Sequence, residues 1–237
     1  FISTVTHELR TPITTIRSFA QILEKDTALK EDQKKAYLNI VIKECDRIKN
    51  LVNQVLDVER LDIPQALTSN FANAHLLLEE SFERLKPQWQ ARGIEPEMKL
   101  NAHDARVVLA DDKVLQIFFN LLSNAIKFCD SEDPSIKVLS YDLGEGRGWA
   151  MEFINNGKVI PPDFRKVIFD KFTQVQDGHR AKPEGSGLGL FITKKLIESA
   201  GGNIAVYSDE SQGTRFVLHF PDPGHVDTNA FIGFEHI

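Results

Sequence analysis

Residues 5–12 read Val5-Thr6-His7-Glu8-Leu9-Arg10-Thr11-Pro12, and the apolar residues around them decide the first element. Val5, Leu9, Ile13, Ile16, Phe19 and Leu23 fall three or four apart, which is one face of an amphipathic helix. His7 is then a ring nucleophile on a helix surface. Thr11, at i+4, shares its face and is within reach of anything bound to that imidazole. Glu8 stands roughly 100° around the helix, so spacing alone does not bring it to His7. Pro12 removes a backbone donor and is expected to kink the helix just after the site.

Working outward, a polar break from Lys25 to Asp32 separates this helix from a second one. In it Leu38, Val41, Cys45, Ile48, Val52 and Val55 alternate spacings of three and four, a heptad seam. Two helices of about 22 and 28 residues, roughly 33 and 42 Å long, cannot bury such a seam by themselves. A homodimer closed as a four-helix bundle is the simplest solution. The second helix must stop near Leu61, because Ile63 precedes Pro64 and is pushed out of helical geometry.

Beyond a 63–69 linker the pattern mixes helices (about 73–90, 112–127 and 187–200) with strands at Arg106–Ala110, Ile136–Asp142, Trp149–Ile154, Asn203–Tyr207 and Thr214–Phe220. The expected fold is α+β: a helical hairpin over 1–62, then an α/β sandwich over 70–220 with a mixed sheet and helices on one face. Residues 221–237 read as a tail or docking segment.

Composition narrows the function. The formal charge is −6, and the first 62 residues carry ten basic and ten acidic side chains, so the whole excess is acidic and lies after residue 62. No basic half exists to neutralise nucleic-acid phosphates. The longest uncharged apolar-rich run, Val114–Ile126, is well short of the ~18 residues a spanning helix needs. Cys45 and Cys129 have no CxxC spacing, so a disulfide framework or zinc site is not expected, and a reducing cytoplasm fits. The chain opens inside a helix without Met, which is expected of a piece of a longer protein carrying upstream sensory or membrane regions. His75, His103, His219, His225 and His236 are scattered without ligand spacing.

Three further motifs carry chemistry. Asn120, Asn124, Lys127 and Phe128 recur at three and four on one helix face, which Asp111 is placed to cap, while Leu121, Leu122 and Ala125 turn inward. Two amides and a cation on an otherwise apolar helix need a reason. Next comes Asn155-Asn156-Gly157-Lys158-Val159-Ile160-Pro161, closing a strand. The last is Gly185-Ser186-Gly187-Leu188-Gly189-Leu190, where glycine lets backbone approach a phosphate and a helix start offers N–H groups to anions. No Gly-Lys-Ser/Thr completes a Walker loop, and no strand leads straight in as a dinucleotide fold demands.

Together, and in this order, the motifs resemble those of the sensor histidine kinases over residues 1 to about 220. The resemblance implies that His7 accepts a phosphoryl group from ATP, with Glu8 hydrogen-bonding the imidazole and acting as base, and passes it to an aspartate of a response-regulator receiver domain. It implies that Thr11 serves a phosphatase reaction. Asn124 would hold Mg²⁺, Asn120 would support metal and phosphates, and Lys127 would pair with phosphate oxygens, beside Phe128. The run Val167-Ile168-Phe169-Asp170-Lys171-Phe172 resembles the family's phenylalanine box. Thr173 to Glu184, with Gly178, His179, Arg180 and Lys182, would be the lid over ATP. Gly157 and Ile160 belong to the first glycine box, and Gly185, Gly187, Leu188 and Gly189 to the second.

The first glycine box departs from the family pattern twice. Asn155 replaces an aspartate that accepts the adenine amino proton, and Val159 replaces a glycine. A β-branched residue cannot follow glycine to positive φ, so the loop is expected to stiffen and ATP to bind weakly. Two other readings stand beside the kinase. One is a degenerate kinase acting as phosphatase or scaffold. The other is a gyrase- or chaperone-type ATPase, which needs a glutamate base where Asn120 stands.

Overall fold

A computed structural model describes residues 2–26, 28–61, 71–144, 146–175 and 185–222. Helix α1 (Ile2–Lys25) runs unbroken through Pro12, which is buried. Helix α2 (Glu31–Leu61) returns beside it. Asp26 accepts from the Ala28 amide (3.0 Å) to end α1, and Gln33 accepts from the Lys30 amide (3.1 Å) to open α2. Glu31 and Asp32 suit the positive end of that helix. Phe19 and Tyr37 meet across the hairpin at 5.1 Å.

The heptad seam is not one exposed face. Val41, Ile48 and Val55 are half-buried, whereas Leu38, Ile42, Val52 and Leu56 on α2, with Ile13 and Ile22 on α1, remain exposed. α2 ends at Leu61 as Pro64 requires; the 63–69 linker and 223–237 of the tail lie outside the described residues.

The second unit begins with β1 (Ala72–Asn73), paired antiparallel with β3 (Arg106–Val107). Between them come α3 (Ala74–Ala91), capped by the Asn73 side chain, and β2 (Glu97–Leu100). Then follow α4 (Asp111–Phe128), β4 (Ile136–Asp142), β5 (Trp149–Asn155), the short α5 (Pro162–Arg165), α6 (Gly189–Ser199), β6 (Asn203–Asp209) and β7 (Gly213–Phe220). The main sheet has order β2-β4-β5-β7-β6, parallel at β2-β4 and antiparallel elsewhere. It is the mixed sheet expected, with α3, α4 and α6 packed on it.

Trp149, Met151 and Phe153 alternate on the inner face of β5, each no more than 1% exposed; Phe153 meets Phe118 of α4 at 5.8 Å. Asn155 is the next residue in that row. The apolar row therefore ends in a buried amide.

Three expectations need correction. Asp111 does not cap α4: Ala110 holds the N-cap position without a side-chain bond, and Asp111 and Asp112 sit inside the first turn, where their charge suits the positive end of the helix dipole. The strand at 106–110 stops at Val107, because the chain bends (Leu109 N–H to Val107 O, 2.9 Å) to enter α4. Elements β1, β2 and α5 were not anticipated, being two to four residues long and weakly patterned. Among the described residues no helix is long and apolar enough to cross a membrane.

Candidate active site

A cavity of about 850 Å³ opens between α4, the loop after β5 and the segment entering α6. From α4 come Asn120, Asn124, Lys127 and Phe128, the face read from sequence. Asn155 and Ile160 line it from the first glycine box, and Gly185, Gly187 and Gly189 from the second. One side is apolar (Ile160, Ile168, Phe216), and the α4 side carries amides and the Lys127 ammonium.

Asn120 commits its amide nitrogen to α6, donating to Gly189 O (3.2 Å) and Thr193 Oγ1 (3.3 Å). It thereby fixes the second glycine box against α4, a scaffolding contact the motif did not announce. Asn124 lines the cavity half-buried. Among the described residues no cluster of three or more His, Cys, Asp or Glu could hold a metal. A single amide oxygen suits Mg²⁺ that brings its remaining oxygens from phosphates and water.

Asn156, Gly157, Phe172 and Leu188 build the walls rather than line them. A Cβ at Gly157 would lie 1.5 Å from the Phe128 carbonyl oxygen, so only glycine lets this turn press on the end of α4. Lys158 N–H donates to that same oxygen (3.1 Å), and Asn156 ties down the 130–135 turn through Asp130, Asp133 and Ser135. Phe172 adopts φ 64° and donates its N–H to Gly187 O (2.9 Å), while Gln174 reaches Gly185 O (2.9 Å). These bonds lie at the two ends of the 173–184 segment read as a lid, of which residues 176–184, with Gly178, His179, Arg180 and Lys182, lie outside the described residues. Leu188 is fully buried in the core.

Asn155 is 4% exposed, and its Nδ2 has no hydrogen-bond partner among the described residues. Leaving such a donor unsatisfied costs about 1–3 kcal/mol, so a partner is expected from a ligand. Val159 lines the cavity outside the positive-φ region, where Phe172 is the one non-glycine residue among those described.

His7, Glu8 and Thr11 lie on α1, outside the cavity lining. The His7 side chain is 68% exposed, with Nδ1 3.8 Å from Glu8 Oε1, and Glu8 in turn lies 3.8 Å from Arg47 of α2. These are ion-pair separations, longer than hydrogen bonds.

Sequence reasoning missed the joint between the two units. Ser186 of the second glycine box donates to Gln54 Oε1 of α2 (2.6 Å), Gln116 of α4 donates to Asp57 Oδ2 (2.7 Å), and Lys113 stands 3.8 Å from Asp57. Gln54 itself lines the cavity. Gln54 and Asp57 share one face of α2 at i, i+3, and that spacing was the available signal.

Residues 1–64 match the His Kinase A (phospho-acceptor) domain, and residues 110–224 match the family described as Histidine kinase-, DNA gyrase B-, and HSP90-like ATPase. The sensor protein SrrB of Staphylococcus aureus (strain MRSA252) is 31% identical over 224 residues, 94% of this chain and 38% of SrrB. The chain thus spans well under half of that relative. Histidine kinase ThkA in complex with response regulator protein TrrA superposes with a TM-score of 0.76 at 26% identity, over 95% of this chain and 62% of that one. Full-length ShkA in complex with AMPPNP gives 0.67 at 27% identity, over 92% and 45%. Both halves of the family's core are present, in the family's order, and the chain belongs to the sensor histidine kinases.

Proposed function

We propose that the chain binds Mg-ATP in the cavity, autophosphorylates on His7 and passes the phosphoryl group to a response-regulator aspartate, with a phosphatase reaction served by Thr11. The observation that carries this reading is the α4 face: Asn120, Asn124, Lys127 and Phe128 converge with three glycines of the second box on one cavity. ShkA binds AMPPNP and ThkA binds a response regulator, which supports the same assignment for this chain.

The residues divide the work. Lys127 and the backbone N–H groups entering α6 face the phosphates. Asn124 would hold Mg²⁺, which supplies charge neutralisation on the phosphate oxygens. Glu8 sits on the Nδ1 side of His7, so a proton held there leaves the Nε2 lone pair for attack on the γ-phosphorus. As the new N–P bond forms, the bond to the β–γ bridging oxygen breaks and ADP departs with that electron pair. His7 and the cavity stand on different elements, so the reaction brings them together.

Six large apolar side chains exposed on the hairpin, Ile13, Ile22, Leu38, Ile42, Val52 and Leu56, support a homodimeric four-helix bundle. Incubation with γ-labelled ATP and Mg²⁺ tests the central claim. Acid-labile, base-stable label is expected on the parent and none on His7→Gln, which should still bind ATP. Label persisting on that variant overturns the assignment of His7.

A further inference from the structure

We infer that Asn155 makes this site a purine reader of relaxed specificity, accepting nucleoside triphosphates with a 6-oxo base, guanine or hypoxanthine, as well as ATP. The inference rests on the nucleotide reading of the cavity. It starts from the orphaned Nδ2 of Asn155, on a side chain 4% exposed at the end of the central strand. The cross-strand neighbour does not satisfy it: the Thr214 hydroxyl donates to the Lys158 carbonyl (3.0 Å) and pairs with Ser208 Oγ (2.6 Å), and no acceptor among the described residues reaches Nδ2. The other walls nearby, Ile160, Ile168 and Phe216, are apolar. Asn155 is therefore the lining amide here that holds an unengaged donor among the described residues.

An ionised carboxylate only accepts, whereas a side-chain amide offers an acceptor oxygen and a donor nitrogen side by side. Adenine presents an N6 donor next to an N1 acceptor; a 6-oxopurine presents an O6 acceptor next to an N1–H donor. A carboxylate meets the adenine amino group well and is repelled by O6. The amide meets either base, its oxygen on N6–H and its nitrogen on N1 in one orientation, its nitrogen on O6 and its oxygen on N1–H when turned by half a rotation. An amide held in one orientation discriminates against the wrong base by roughly five- to 150-fold, and one free to turn does not. With Asn at position 155 that discrimination is lost, and with Asp it is restored.

Inosine triphosphate is the clean probe, since it has the 6-oxo edge without guanine's 2-amino group. Titration of the full chain with the magnesium complexes of ATP and ITP, by calorimetry, should give dissociation constants within about tenfold of each other. Asn155→Asp should tighten ATP at least fivefold and move the ATP-to-ITP preference by tenfold or more. ATP binding to that variant verifies that it folds, and the parent ratio stands without it. Parent binding of ATP with more than hundredfold rejection of ITP overturns the inference while leaving the nucleotide site intact. A parent ratio near one that Asn155→Asp does not move also overturns it, because another group then reads the base. Failure of both nucleotides to bind the parent at millimolar concentration sinks the nucleotide reading itself, and this inference with it.

Discussion

Gly157→Ala tests whether the first glycine box and the amide helix behave as one mechanical unit. The added Cβ falls 1.5 Å from the Phe128 carbonyl oxygen, 2.5 Å from its carbon and 2.6 Å from Cys129 Cα. Carbon and oxygen settle no closer than about 3.3 Å, so roughly 2 Å of backbone must open. All three obstructing atoms belong to the main chain at the end of α4, and none can rotate aside. Overpacking of this kind costs about 1–3 kcal/mol, and loss of the Lys158 N–H to Phe128 O bond about 0.5–1.5 more. A sum near 2–4 kcal/mol lowers the melting temperature of a chain this long by something on the order of 10 °C.

The same displacement moves Phe128 and Lys127, which line the cavity, so ATP affinity should fall at least tenfold. Gly93→Ala is the control: at φ 65° with nothing within 4 Å of its Cβ, it costs only the left-handed strain of about 1–2 kcal/mol and leaves binding unchanged. Thermal unfolding and nucleotide titration of both variants give the comparison. If Gly157→Ala melts within about 2 °C of the parent and binds ATP equally well, the turn relaxes without moving α4 and the coupling argued here is wrong.

Two further outcomes are expected. Thr11→Ala, changed one helical turn beyond His7, should still phosphorylate on His7 but lose the ability to dephosphorylate a receiver aspartate; equal loss of both activities would mean that Thr11 only supports the helix. Burial and the hydrogen bond to Glu152 push the Tyr141 phenol up to about 12, so the neutral phenol favours the fold below pH 10, and that contribution is lost as pH rises from 10 to about 12. In an ultraviolet alkaline titration the last of the three tyrosines to ionise should vanish in Tyr141→Phe, and an unchanged curve would refute the assignment.

Legibility in the sequence followed the range of the interaction. The α4 face was readable because helical periodicity carries information over eight residues, and Asn120, Asn124, Lys127 and Phe128 fall within it. The glycine boxes were readable because each is one turn. Asn120's attachment to Gly189 and Thr193, and the Gln54–Ser186 and Asp57–Gln116 bonds, span 59 to 132 residues. No local pattern encodes them, and polar residues on a helix look alike whether they face water or another unit. The heptad reading failed by degree: Val41, Ile48 and Val55 are half-buried while Leu38 and Val52 stay exposed, and of these Val55 packs against the buried core.

Asn155 shows how the two levels correct each other. From sequence the amide counts as a loss, an aspartate missing from where the family keeps one, and Val159 beside it as a second handicap. Placed in the fold, Val159 sits outside the positive-φ region, and Asn155 ends a buried row with a donor that no described residue satisfies. A buried group that merely weakened a ligand would be under pressure to pair internally, since an orphaned donor costs stability in every unliganded molecule. The hydroxyl of Thr214, the cross-strand neighbour of Asn155, bonds Lys158 and Ser208 and does not reach its Nδ2. That commitment leaves the amide's donor for whatever enters the cavity, and a ligand edge offering an acceptor there gains what the empty protein lacks.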